Sequence, residues 1–165
     1  SPFIRGIMSF KTIFSLTVTH LLVGVIGFGL GIYALPILTA PPAPQAKELS
    51  VLSKSAVFTA EFTKDLKGSD ALHWGEGEVA IGDDHISLLG SLAPGPDYKL
   101  YLSPTFVETE AEFKRLKHTM KMVGNVNTFD NFIVKYSEPI DLQQFNTVVV
   151  WCESFGEFIT SAKYR

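Results

Sequence analysis

The residue of this sequence best suited to chemistry is Cys152, the single cysteine of the chain. A thiolate can ligate a transition metal or a haem iron, and a thiol can pass through oxidised states. The alternative is that Cys152 is a small apolar core residue, because it ends the apolar, β-branched run at 147–152. Strand alternation places Cys152 and Trp151 on opposite faces, and we expect one of the two side chains to point inward.

Histidines are the other candidate ligands. His73 precedes a predicted strand, in a loop from which an imidazole can reach a metal. His85 lies in a predicted hairpin, and His118 lies on a predicted helix. No pair of His or Cys residues has the close spacing of a zinc or copper site. A site built from Cys152 and His73 therefore requires the fold to bring distant segments together.

The elements that would position these residues belong to two parts of the chain, and the first is a predicted transmembrane helix at residues 12–38. This run contains no Lys, Arg, Asp or Glu, and about 20 apolar residues suffice to cross about 30 Å of hydrocarbon. The run supplies that length with margin even if Pro36 ends the helix near Leu35. Basic residues precede the run, so residues 1–11 are predicted to be cytoplasmic. The residues that follow the helix are predicted to lie in the periplasm, on the outer side of a bacterial inner membrane.

A cleaved signal peptide is the alternative interpretation of the same segment. Met8 resembles a natural start with a short basic leader. The apolar run is however longer than the core of a usual signal peptide, and Pro41-Pro42 stands where cleavage would occur. Both features favour a lasting membrane anchor.

Two features of the helix favour a membrane-protein partner or complex in addition to the lipid bilayer. Gly27 and Gly31 form a Gly-xxx-Gly pair that lets a second helix approach closely, although glycine is also common in membrane helices. His20 is ionisable at membrane depth, where we expect a neutral ring that faces a partner helix. Residues 39–46 are predicted to form a stiff, Pro-rich spacer that lifts the following domain off the bilayer.

The second part, residues 47–165, is predicted to be a mainly β domain. It carries 12 basic and 17 acidic residues, a net charge of −5, which argues against nucleic acid and against an anionic lipid surface as partners. Alternating apolar residues predict a β-sandwich or open barrel. The run at 147–152 is predicted to be a central strand. Capping-box spacing after Thr109 predicts one short helix from Glu110 to about Met120.

Three stretches of the domain carry a family resemblance: residues 73–81, 94–103 and 148–158. They resemble the DM-thirteen domain, also called the electron-transfer DM domain, over about residues 55–165. The resemblance implies a β-rich extracellular or periplasmic module with a near-invariant cysteine, matched here by Cys152, and His73 also matches a family position. It implies a redox role, proposed because such domains accompany haem-binding domains. Residues 124–132 depart from the family pattern, with fewer glycines and Phe where Tyr is usual.

Three functions remain open at this point. The first is a membrane-anchored accessory module with a redox or ligand-binding role through Cys152, with haem or a transition metal as cofactors that the sequence does not demonstrate. The second is a non-catalytic structural or assembly subunit of a membrane complex, in which Cys152 is core. The third is an enzyme with the Cys152 thiolate as nucleophile, which lacks a neighbouring base. A buried thiol among aliphatic groups would contradict the first and the third, and a helix packed against foreign transmembrane helices would support the second.

Overall fold

The first element of the protein is a long apolar helix, α1 (Phe10–Thr39). The computed structural model describes residues 8–165, so residues 1–7 of the predicted cytoplasmic segment lie outside the described part. α1 is the one helix of that part that is long and apolar enough to cross a membrane, with a mean hydropathy of 2.3 over its best window. Pro36 does not end the helix near Leu35. Proline removes a single N–H donor, and α1 continues for three more residues.

Within residues 8–165, eight strands form two four-stranded antiparallel sheets, which confirms the predicted mainly β sandwich. The first sheet has the order β1-β2-β3-β6, and the second has the order β5-β4-β7-β8. The strands are β1 (Phe58–Phe62), β2 (Gly75–Ile81), β3 (His85–Leu92), β4 (Tyr98–Ser103), β5 (Lys121–Val126), β6 (Asp130–Lys135), β7 (Thr147–Cys152) and β8 (Glu157–Lys163).

The predicted central strand, β7, lies between β4 and β8 and is buried along its whole length. Val148, Val150 and Cys152 face the main core between the two sheets. Val149 and Trp151 face a second core on the outer side of the sheet. Trp151 and Cys152 therefore lie on opposite faces, as predicted, and Cys152 is the one that points inward between the sheets. Trp151 is buried as well, because both faces of this strand are covered.

Two elements are not predicted from the sequence. The first is α2 (Ala46–Lys54), which begins directly after the prolines and packs on β3 through Leu49, its one buried residue. The second is β5, which contains Gly124 and mixes polar with apolar residues, so it lacks a clear alternation.

The Pro-rich segment 40–45 contacts the domain, since the side-chain amide of Asn131 donates to the carbonyl of Pro44 (3.0 Å).

The short helix α3 (Glu110–Leu116) covers the outer face of β7. The side chain of Thr109 caps it by accepting a hydrogen bond from the N–H of Glu112, as the capping-box spacing predicts. Phe113 is fully buried, and its ring stacks on that of Trp151 with 4.0 Å between the centroids. A 3-10 turn follows, and Met120 is already extended, so the helix ends sooner than predicted.

Truncation of Phe113 tests the second core. We expect Phe113→Ala to lower the free energy of unfolding by about 3–5 kcal/mol, because it leaves a cavity beside Trp151. Urea unfolding of the full chain in mild detergent, followed by circular dichroism, measures the change. Phe106→Ala is the matched control, since Phe106 is exposed. An equal, small loss for both variants would contradict the packing described for α3.

Candidate functional site

Cys152 ends β7 directly opposite Tyr98, the first residue of β4. Beside this pair lies a cavity of about 290 Å³. Its walls come from the loop before β2, the turn before β4, the turn after β7, the start of β8 and the C-terminal half of α1. The lining residues are Gly29, Ile32, Tyr33, Leu72, His73, Pro94, Gly95, Pro96, Tyr98, Cys152, Phe155, Glu157 and Ile159. The fold therefore brings together Cys152 and His73, which are 79 positions apart in the sequence.

Tyr98 forms a fixed wall of the cavity. Its hydroxyl donates to the carbonyl of Ala93 (2.6 Å), and its ring meets Phe129 edge-on at 5.8 Å. Burial raises the pKa of Tyr98, so the phenol stays protonated. A side chain at Gly95 would place its Cβ only 2.4 Å from the Tyr98 ring, which explains the glycine in this turn.

The Cys152 side chain is buried, with only 3% of the residue exposed. Burial raises the pKa of its thiol, because a thiolate is poorly solvated there. Backbone N–H groups of Phe155, Asp97 and Ser154 act in the opposite direction, since amide dipoles favour the thiolate, but burial prevails. The thiol is therefore neutral near pH 7. Its surroundings are not purely aliphatic, because an imidazole and a phenol share the cavity.

His73 is held in place by Asp70. The carboxylate of Asp70 accepts from Nδ1 of His73 (2.9 Å) and from the backbone N–H groups of Leu72 (2.7 Å) and His73 (2.9 Å). The bond to the imidazole, together with these amides, holds the pKa of Asp70 below its usual value. With Nδ1 occupied, Nε2 is the nitrogen of His73 left to bind a ligand.

The donors around the cavity do not make a complete metal site. Thiolate and imidazole suit a transition metal by type. Within residues 8–165, however, no three His, Cys, Asp or Glu side chains lie close enough together to hold a metal ion. The cavity is at the lower end of the range for ligand pockets, so it suits a small molecule or one projecting part of a larger one.

Asp97 ties together the two turns that frame Cys152. Its carboxylate accepts from the Ser154 hydroxyl (2.8 Å) and pairs with the Lys99 ammonium (2.8 Å). Its backbone carbonyl accepts from the N–H of Glu153 (2.9 Å). The ammonium of Lys99 and the hydroxyl of Ser154 hold the pKa of the Asp97 carboxyl below its ordinary value. These contacts fix the turn before β4 against the turn after β7.

The residues predicted for helix packing lie apart from this cavity. The ring of His20 bonds through Nδ1 to the carbonyl of Leu16 in its own helix (2.7 Å), so it needs no partner helix at that nitrogen. A Cβ added at Gly27 or at Gly31 would meet no heavy atom within 4 Å, so that surface of α1 is open. A membrane partner for this surface stays a prediction.

Sequence reasoning misses several residues that build the site. Asp70 stands three residues before His73, a spacing that signals a side chain able to close the loop. Asp97 stands out in the sequence only as part of a turn. Nothing in the sequence indicates that Gly29, Ile32 and Tyr33 of α1 line a cavity of the β domain, because this depends on how the helix lies against the domain.

Comparison with protein families supports the resemblance noted from the sequence. The family model described as electron transfer DM13 matches residues 54–164, about two-thirds of the chain. No curated protein and no solved structure matches the sequence significantly.

Asp97→Asn tests the tie between the two turns. At neutral pH we expect a loss of about 1 kcal/mol in the free energy of unfolding, because a charge-assisted contact is weakened. The folded pKa of Asp97 lies below the unfolded value near 3.8. Its contribution is therefore complete above about pH 4 and is lost as the pH falls through the folded pKa.

Urea unfolding of both proteins across pH 2–7 measures this difference. Asp65→Asn is the control, as Asp65 is exposed. A stability difference between Asp97→Asn and wild type that stays constant down to the lowest pH would contradict the assignment.

Proposed function

Because the chain belongs to the electron transfer DM13 family, we propose that it is a membrane-anchored accessory module that serves an electron-transfer partner. In this proposal the domain lies in the periplasm, on the outer side of a bacterial inner membrane. The cavity beside Cys152 is its binding site. The main support for this proposal is that Cys152 and His73 line one cavity, together with residues of α1.

The cavity has the chemistry of a binding site for a weakly polar ligand. Most of its wall is apolar, supplied by Leu72, Phe155, Ile159 and the prolines of the turn. The Cys152 thiol is a weak donor, and Nε2 of His73 offers one position for a hydrogen bond or a ligand bond. Since the thiol is neutral at pH 7, a group that binds it as a thiolate must displace its proton.

The anchoring part of the proposal is supported by α1. Its 30 residues extend over about 45 Å, more than the hydrocarbon thickness of a bilayer. Lys11 lies in its first turn, and no acidic residue precedes Glu48. This distribution favours a cytoplasmic amino terminus.

A second candidate function is assembly, and the open surface at Gly27 and Gly31 favours it. Close helix–helix contact in membranes uses small residues of this kind. In that case α1 docks in a larger membrane complex and Cys152 is a core residue. The two functions differ in one observable, which is whether a bound species depends on Cys152.

Bound-ligand analysis tests the proposed function. We expect the full chain, purified from membranes in mild detergent, to carry a species that is detected by elemental analysis, visible absorption or native mass spectrometry. We expect Cys152→Ala to lose it and Asp70→Ala to retain less of it, because Asp70 orients His73. His118→Ala is the control, since His118 lies on the 3-10 turn after α3.

Equal circular dichroism spectra and melting curves establish that the variants are folded. The absence of any bound species from the wild type, or its full retention by Cys152→Ala, would contradict a binding role for Cys152. Recovery of the chain within a complex that is lost in Gly27→Leu would then favour assembly.

A further inference from the structure

Two large apolar side chains of the β domain are exposed at the rim of the Cys152 cavity. Leu72, in the loop before β2, is 59% exposed, and Phe155, in the turn after β7, is 55% exposed. They come from segments more than 80 positions apart in the sequence. Both line the same cavity as the stretch of α1 from Gly29 to Tyr33. An exposed apolar patch next to a membrane helix is a candidate lipid-contacting surface.

The position of this patch along α1 fixes its depth relative to the bilayer. About 20 helical residues cross the hydrocarbon, fewer than the 27 of the uncharged run 12–38, so a span that begins directly after Lys11 reaches the outer boundary near residue 31 and the rest of the run lies beyond that boundary. Gly29 to Tyr33, which cover about 6 Å of helix, therefore lie across the boundary between acyl chains and headgroups. Leu72 and Phe155 line the same cavity as these residues, so we place them at a similar depth. Tyr33 has the ring type that membrane interfaces favour.

We infer that Leu72 and Phe155 insert into the outer leaflet of the bilayer, so that the domain rests on the membrane with the mouth of the Cys152 cavity at headgroup level. This inference rests on the anchoring part of the proposed function. Interfacial insertion of apolar side chains to a depth of about 5–10 Å is common among membrane-associated proteins. A ligand that reaches Cys152 through this mouth approaches from the lipid.

Charge shows which lipids suit this surface. The domain from residue 47 onward has a net charge of −5, and the acidic Glu157 lines the cavity. Anionic headgroups therefore repel the domain, while zwitterionic headgroups do not. The contact is apolar in origin, so it is expected to be insensitive to salt in zwitterionic membranes.

Depth-dependent fluorescence quenching tests the inference on the full chain. In a Cys152→Ala background, single cysteines are introduced at Leu72 and Phe155 and labelled with an environment-sensitive fluorophore. The matched controls are Leu89→Cys and Met122→Cys, whose native side chains are 41% and 51% exposed and lie outside the cavity. Val23→Cys, in the middle of α1, reports whether the helix spans the bilayer.

Each variant is reconstituted into phosphatidylcholine vesicles that contain lipids spin-labelled at a shallow acyl position. We expect strong quenching at positions 72 and 155 and little at 89 and 122. Lipids spin-labelled deep in the acyl chain should quench at position 23 most strongly. Partial replacement of phosphatidylcholine by phosphatidylglycerol should weaken quenching at 72 and 155 without changing it at 23.

The outcomes separate the inference from the function on which it rests. Quenching at 23, together with values at 72 and 155 no larger than at 89 and 122, overturns the docking surface and leaves the anchor intact. A lack of quenching at 23 overturns the membrane span itself. All four domain positions are exposed, so their substitution should leave the melting curve of the domain unchanged, which circular dichroism checks.

Discussion

Burial of β7 on both faces is the constraint on which the rest of the structure depends. The first sheet covers one face of this strand and α3 covers the other, so all six of its residues are buried. Its end is therefore fixed in space, and the chain must reverse at once. The N–H of Gly156 donates to the carbonyl of Cys152 (2.9 Å), and Gly156 adopts a φ of 66°, which glycine tolerates best. Cys152 is thereby held opposite Tyr98, at the edge of the core and at the wall of a cavity.

This position decides what chemistry the thiol can perform. A thiolate nucleophile requires exposure and a nearby cation, whereas Cys152 is buried and its pKa is raised. A simple core cysteine would be surrounded by aliphatic groups, whereas Cys152 lines a cavity whose wall also contains His73 and Tyr98. The arrangement is best suited to a thiol that meets a bound ligand within a confined space. Because residues of α1 form part of the wall, the site also depends on how the domain lies against α1.

The sequence predicts the parts of this protein that rest on local pattern. These parts are the apolar run of α1, the alternation in β2 and β6, the unbroken apolar β7 and the cap at Thr109. By contrast, α2 has a single buried residue, so its pattern carries little signal. β5 is an edge strand with mixed polarity, and only its pairing with β4 defines it. Residue type and family resemblance make Cys152 and His73 candidates. Their meeting in one cavity, and the contribution of Gly29, depend on tertiary packing between segments that are far apart in sequence.

The central claim is that α1 forms part of the wall of the cavity beside Cys152, and the modification rate of this thiol tests it most directly. Gly29 lines the cavity, and a Cβ there meets no other atom within 4 Å, so Gly29→Trp should project into open space at the cavity wall. Val25→Trp, one turn earlier on the same face of α1 and outside the cavity, is the matched control. The rate at which methyl methanethiosulfonate modifies Cys152 in vesicle-reconstituted full chain is then compared with wild type. Our account predicts slower modification in Gly29→Trp and an unchanged rate in Val25→Trp. Equal rates in all three proteins would contradict it.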